Sequence, residues 1–468
     1  MNMEPAFLSA TELREAYAGG QLSPVEVAEQ ALERIERLNP ELCAFLTVTR
    51  EVALEAARRA EDAYRSGGHD GLPLLGVPFS VKDTILTRGV RTTMGSLLRA
   101  DWVPDVDAPA VERAYAAGAV LLGKTNAPEF SWKGDSGNRL SGPARNPWML
   151  DRTAGGSSGG AGSAVSSGLG PLALGSDTAG STRIPAAFCG VVGLKPSFGL
   201  IPVAPAGAIE TLSHIGILTR TVADAALALG ALAGPHPLDR LSLPPLGVDY
   251  ERAAAGDLRG LRVAWSSTLG YAAVEPEVAA SAESAALAFE ELGCSVESVD
   301  PGLDDPYELV NVLLVAGAAG GHKADFEEVR ERLDPERVPS IEEGFRLSAA
   351  DVGAALAGRA RWAERMQSLM ERFDLLLTPA VPVTAFAAGA QGPGTVAGRP
   401  RPGLSWASFG YPFNLTGQPA ATVPCDPAPD GLPVGLQIAG RTRGDVSVLR
   451  AAAAFETARP WRARRPDL

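Results

Sequence analysis

The chain has 468 residues, 46% of them hydrophobic and 21% charged, with a mean hydropathy of +0.04, which is the composition of a globular protein with a large core. A formal charge of -13 and a pI near 5.0 argue against nucleic acid as a partner, and the most apolar stretches are too short and too rich in small residues to span a bilayer. The opening residues lack a basic region followed by an apolar one, so no signal peptide and a cytoplasmic location are expected.

In chain order, Ser23-Pro24 with Glu26 signals a helix start, and apolar residues at helical spacing continue it. A second helix is predicted from Glu51 to Tyr64, ending at Gly67-Gly68. The segment 72–83 is predicted to be a buried strand that delivers Lys82 at its end. A helix and another strand (119–124) follow. From 134 to 220 the chain is dense in Gly, Ser and Pro but interleaved with short apolar runs (170–176, 191–196). That is active-site backbone laid between strands, since a flexible linker would lack core-forming runs. Thr221 and Asp224 start a helix to about Ala233. A Pro-rich connection (234–247) leads to a strand (261–267), a helix (275–292) and a strand (294–300). Residues 306–373 are predicted to be mainly helical, a cap or insertion forming part of the substrate pocket. A strand (374–379), a Gly/Pro loop, two further strand-like runs (ATVP and GLQIAG) and a helix near 445–457 close the chain. Strands alternating with helices predict an α/β layered fold with one large sheet.

Cys43, Cys189, Cys294 and Cys425 are far apart and lack C-x-x-C spacing, and His69, His214, His236 and His322 are isolated. No metal, cofactor or disulfide is expected, and the cysteines read as buried thiols. Lysine occurs only at Lys82, Lys124, Lys133, Lys195 and Lys323, against 37 arginines. A position that stays lysine on this background points to an amine that can lose its proton, which a guanidinium cannot do.

The chemistry-bearing pieces are Lys82, the run TAGGSSGGAGSA (153–164) and the run GSDTAGSTRIPAAFCG (175–190). A phosphate loop is excluded, because Gly155 and Gly160 are followed by Ala161 and Gly162 rather than Lys and Ser/Thr. The stretch Gly155–Gly159 also satisfies G-x-S-x-G, which would make Ser157 the nucleophile of an α/β-hydrolase and demand a downstream acid and histidine.

Taken together, the three pieces resemble the amidase signature family, with its strand-end Lys, its G-G-S-S-G-G loop and its D-T-G-G-S-x-R-x-P-A segment. The resemblance extends to LLGKTNAPEF (121–130), ARNPW (144–148), FCGVVGLKP (188–196), LSHIGILTRTVADAA (212–226), NLTGQPAATVP and GLPVGLQIAG. It implies an α/β fold with one large central mixed β-sheet covered by helices on both faces, in one domain spanning 1–468. It also implies Lys82 as the catalytic lysine, Ser157 as a bridging serine on a cis peptide bond, and Ser181 as the nucleophile. It also implies an oxyanion hole from the N–H groups of Thr178, Ala179, Gly180 and Ser181. A serine hydroxyl needs an adjacent base, and a lysine serves if burial favours its neutral form. Ala179 stands where the family usually has Gly, so its Cβ threatens a φ > 0 conformation there. Asp177 and Arg183 are expected to act as an ion pair fixing the loop, with Ser158 in support.

The glutaminase subunits of tRNA-dependent amidotransferases carry an aspartate before the P-x-N-L-x-G-x-P segment. Here Ala407 is taken as the matching position, which counts against glutamine. Phe130, Trp132 and Trp406, with Phe409, Tyr411 and Phe413, suggest an apolar or aryl pocket. The favoured activity is hydrolysis of a small hydrophobic or aryl amide, with esters and carbamates (urethanes) as further substrates. The alternatives are a glutaminase component of such an amidotransferase, a G-x-S-x-G hydrolase, and a non-catalytic scaffold or binding protein. No nucleic-acid or membrane partner is expected, and a homo-oligomer is compatible with the sequence.

Overall fold

The computed structural model describes residues 4–207 and 209–468. Eleven strands form one sheet: β1 (Phe45–Val48), β2 (Pro78–Lys82), β3 (Val120–Thr125), β4 (Leu172–Asp177), β5 (Val192–Lys195), β6 (His214–Thr219), β7 (Arg262–Trp265), β8 (Ser295–Ser298), β9 (Leu375–Pro379), β10 (Ala420–Pro424) and β11 (Gly435–Gly440). Their spatial order is β1-β3-β2-β4-β6-β5-β10-β11-β9-β7-β8. β2 pairs in parallel with both β3 and β4, and β7 with both β8 and β9. The other pairings are antiparallel. The sheet is therefore mixed, as the family resemblance implies.

Side-chain alternation along each strand sorts the core into two faces. Phe79 and Val81, Leu121, Leu172 and Leu174, Ile215 and Ile217, Leu375 and Leu377, and Leu436 and Ile438 enter one cluster, with helices Val222–Leu232, Pro276–Glu291 and Asp445–Ala458. Their strand neighbours face the other way. Val120 and Leu122 meet helices Pro24–Leu42 and Arg50–Ser66, while Ala173 and Leu218 meet helices Gly159–Ser166 and Arg183–Cys189. Leu376 and Ala439 meet helix Ala349–Arg372. Among the described residues no helix is long and apolar enough to cross a membrane.

The predicted strand at 72–83 forms only over Pro78–Lys82, because the residues before it turn and bond the C-terminal end of helix Pro109–Ala116, as in Leu74 N–H to Ala117 O at 2.9 Å. The glycine-rich run after Ser157 is not loop throughout. Gly159–Ser166 is a helix and every residue of it is buried. Glycine is a poor helix former, but a Cβ at Gly160 would lie 2.3 Å from Asn126 N and 2.5 Å from Ala44 O, so close packing overrides propensity there. Cys189, Cys294 and Cys425 are buried, but Cys43 is only half-buried.

Candidate active site

Lys82 ends β2 on the face opposite Phe79 and Val81, fully enclosed. Its Nζ lies 2.6 Å from Ser157 Oγ and 2.8 Å from Ser176 Oγ. Burial pushes the amine down from an ordinary 10.5 to about 7, against the pull of the Asp177 carboxylate. An amine at that value is neutral about half the time at neutral pH, which suits a base. Two other rare lysines share the shift without sharing the site. Lys124 and Lys195 are also pushed to about 7, by burial first. Lys124 donates to Ile85 O and Thr87 Oγ1, and Lys195 to Gln418 O at 2.5 Å. The scarcity of lysine thus marks burial, and only geometry separates Lys82 from the others.

The loop carrying Ser157 is pinned from beneath. Thr153 Oγ1 donates to Asp135 Oδ2 at 2.7 Å and accepts from Gly155 N–H at 2.9 Å. Ser136 Oγ donates to Gly155 O at 2.7 Å and accepts from Gly159 N–H at 2.9 Å. The Gly156–Ser157 peptide is cis. Ser158 Oγ donates to Ser176 O at 3.2 Å, and Ser158 N–H donates to Ser181 O at 3.1 Å. The second contact ties the Ser157 loop to the Ser181 loop. Sequence reasoning missed Ser176; its signal was its place near the end of β4, beside β2, which carries Lys82.

Asp177 and Arg183 form a fully buried pair. Arg183 Nε and Nη2 reach the two carboxylate oxygens at 3.0 and 2.9 Å, and Nη1 and Nη2 reach Gln437 Oε1 and Asn414 Oδ1 at 2.7 Å each. Burial would raise the Asp177 carboxyl, but the Arg183 charge and hydrogen bonds outweigh it and hold the group well below the usual carboxylate range. The same carboxylate accepts Gly180 N–H at 2.9 Å and Thr182 N–H at 3.1 Å. Of the four N–H groups expected to form an oxyanion hole, that of Gly180 is held by Asp177. Among the described residues, no acceptor takes the N–H groups of Thr178, Ala179 or Ser181. The positive φ of the loop, +109°, falls at Gly180 and not at Ala179. The Cβ of Ala179 therefore meets no backbone conflict.

Ser181, Ala179, Thr178 and Gly156 line a cavity of about 870 Å³. Phe130 and Trp132 are on its wall, with Leu98, Ile184 and Leu314. Trp406 is not. It is fully buried, stacked on Phe188 at 6.1 Å and edge-on to Phe386 at 5.2 Å, so its large apolar surface serves the core. Phe409, Tyr411 and Phe413 are buried likewise. Residues between Tyr307 and Glu343 supply the opposite wall, whereas helix Ala349–Arg372 packs behind them.

Among the described residues no histidine bonds Ser157. His214 is buried with Nδ1 on Leu212 O at 2.9 Å, and burial keeps its ring well below the ordinary histidine range. His322 is on the cavity wall, edge-on to Phe130 at 5.6 Å. Among the described residues no cluster of His, Cys, Asp or Glu has metal-holding geometry.

Known proteins share this frame over nearly its whole length. A family model described as Amidase matches residues 26–449. The chain is 42% identical over 465 residues to an acylamidase of Rhodococcus erythropolis, covering 98% of this chain and 97% of that one. Among solved structures, a bacterial aryl acylamidase of the amidase signature family superposes with a TM-score of 0.93 at 32% identity, covering 99% of this chain and 100% of that one. A 6-aminohexanoate cyclic dimer hydrolase complexed with substrate superposes at 0.89 with 31% identity, covering 99% of each. The chain is also 39% identical over 495 residues to a glutamyl-tRNA(Gln) amidotransferase component from Moorella thermoacetica, covering 100% and 99%. A match of this extent in both sequence and fold settles the lineage: the chain belongs to the amidase signature family and is an amide-hydrolysing enzyme.

Proposed function

We propose that the enzyme hydrolyses small hydrophobic or aryl amides through an acyl-enzyme on Ser181. The observation that carries this reading is the 2.6 Å contact of a buried, partly neutral Lys82 amine with Ser157 Oγ, tied through Ser158 to a Ser181 that lines the cavity. Neutral Lys82 takes the Ser157 proton as Ser157 takes that of Ser181, and Ser181 Oγ attacks the amide carbonyl. The N–H groups of Ala179 and Ser181, with Thr178, stabilise the oxyanion, a contribution of about 3–4 kcal/mol per donor. The proton returns through Ser157 to the leaving nitrogen, which departs as a neutral amine. Water, activated by the same pair, then frees the acid. Asp177 and Arg183 shape the loop without touching substrate.

Phe130 and Trp132 on the wall, and the acylamidase relative, favour an apolar or aryl group. Esters and carbamates fit the same acyl-enzyme route with easier leaving groups. Near-full-length similarity to an amidotransferase component keeps glutamine as a second reading, and the lack of a carboxylate at Ala407 opposes it. An anilide and carbamate panel, with glutamine included, tests this. Ser181→Ala and Lys82→Met should each lower kcat/KM by about 10³-fold or more. Turnover of glutamine above all anilides would reverse the assignment.

A further inference from the structure

Helix Tyr307–Gly321 presents one face to the cavity along its entire length. Tyr307, Asn311, Leu314, Val315, Ala318 and Gly321 all line the cavity that holds Ser181, and their helical spacing places them on a single stripe. At about 1.5 Å per residue the stripe runs about 21 Å, roughly the reach of six extended residues. Both of its ends are flanked by other parts of the same lining. A Cβ on Gly403 would lie 2.6 Å from Tyr307 Oη. His322, the residue after the helix, stands edge-on to Phe130 with ring centroids 5.6 Å apart. The cavity is therefore a groove. Its volume of about 870 Å³ is near the top of the range of about 300–1,000 Å³ that suits drug-sized ligands, and a small aryl amide fills only part of it.

Gly321 keeps the His322 end of the groove open. It has no positive φ, and no atom lies within 4 Å of where a Cβ would stand. Neither backbone nor packing therefore requires a glycine there, and glycine weakens a helix. A side chain at that position would project from the cavity-facing stripe. Leu314, Val315 and Ala318 make the middle of the stripe apolar, and Leu98 and Phe130 add apolar surface elsewhere on the lining. Ionised side chains on the lining carry both signs, with Lys133 held by Glu336 at 3.1 Å and Arg337 beside Glu129. Length and apolar contact are left to discriminate between substrates.

We infer that the substrate is elongated, with an uncharged apolar chain or second ring that runs from the scissile amide along helix Tyr307–Gly321, and that Gly321 sets how long it can be. This rests on the cavity being the site of amide binding. Two series of anilides provide the test, one lengthened from acetyl to octanoyl on the acyl side, the other carrying para-alkyl chains of the same lengths on the ring. In at least one series the longest member should exceed acetanilide in kcat/KM by about tenfold or more, because each methylene laid on the stripe leaves water. In Gly321→Phe that ratio should fall to near one while acetanilide stays within about twofold of wild type, the pattern of a blocked subsite. If that variant does not unfold cooperatively, Gly321→Leu serves, and its ratio should lie below that of wild type. Gly321→Ala should keep the wild-type ratio. Rates that fall with length in both series, or a ratio unchanged in the folded Phe and Leu variants, would each overturn the proposal. So would a loss shared equally by short and long members. Calorimetric binding of the same series to Ser181→Ala reads the groove separately. Residual turnover in that protein would count against Ser181 as nucleophile, while the long-to-short affinity ratio would still report on the groove.

Discussion

Lys82 Nζ and Ser157 Oγ stand 2.6 Å apart with neither residue exposed to solvent. A base in that position works only when unprotonated, and burial sets its titration near 7. Acylation should therefore fall about tenfold per pH unit below 7 and level off above it, as kcat/KM from pH 5.5 to 9 would report. A flat profile across that range would contradict the assignment. The sign for stability is the opposite of a salt-bridged lysine. The folded pKa is depressed, so between about 7 and 10.5 the unfolded chain binds the extra proton and this group's destabilising contribution shrinks as pH rises. Lys82→Met should lessen the rise of the denaturation midpoint over that window, with Lys124 and Lys195 supplying the remainder.

Ser176 Oγ, at 2.8 Å, is the other partner of the amine. An acceptor hydroxyl favours the ammonium form, so Ser176→Ala should move the kinetic inflection to lower pH and cut kcat by about tenfold. Thermal unfolding would confirm that the fold persists. An unmoved inflection would reduce Ser176 to a packing residue.

Removing one member of the Asp177–Arg183 pair strands the other in the core. Arg183→Met or Asp177→Asn should cost about 3–5 kcal/mol in denaturant unfolding. Asp177→Asn should lower activity as well, since the carboxylate orders Gly180 and Thr182 N–H. A loss under about 1 kcal/mol, the value of an exposed pair, would mean that the loop is held by other contacts.

The loop Thr178–Ser181 separates two neighbouring small residues. Ala179→Gly should leave kcat/KM within about threefold, because Ala179 keeps its N–H donor and has no positive φ. Gly180→Ala should be severe, since φ there is +109° and the new Cβ would lie 3.0 Å from Gly410 Cα. Steady-state kinetics on the two variants would show the contrast, and equal losses would contradict it.

Much of this was legible in the residues. The strand-end Lys82, the helix cap at Thr221, whose side chain accepts Asp224 N–H at 3.2 Å, and the alternation of elements all follow from local rules that the fold obeys. What escaped did so for nonlocal reasons. Helix Gly159–Ser166 hides in a glycine run because its glycines answer to backbone from Ala44 and Asn126, distant in sequence. β6 was obscured by Gly216 at its centre, where a Cβ would strike Thr182 Oγ1. Trp406 looked like Trp132 in composition, but one faces Phe188 in the core and the other the cavity. Pattern reports hydrophobicity, not which of two apolar environments receives it. Ser176 carried no motif of its own.

Brief exposure to an activated aryl ester, acid quenching and peptide mass mapping would locate the acyl group directly. With Ser181 as nucleophile, the adduct falls on the peptide containing that residue. It is absent in Ser181→Ala and retained in position, though formed more slowly, in Ser157→Ala. An adduct on Ser157 in the wild-type enzyme would contradict this assignment.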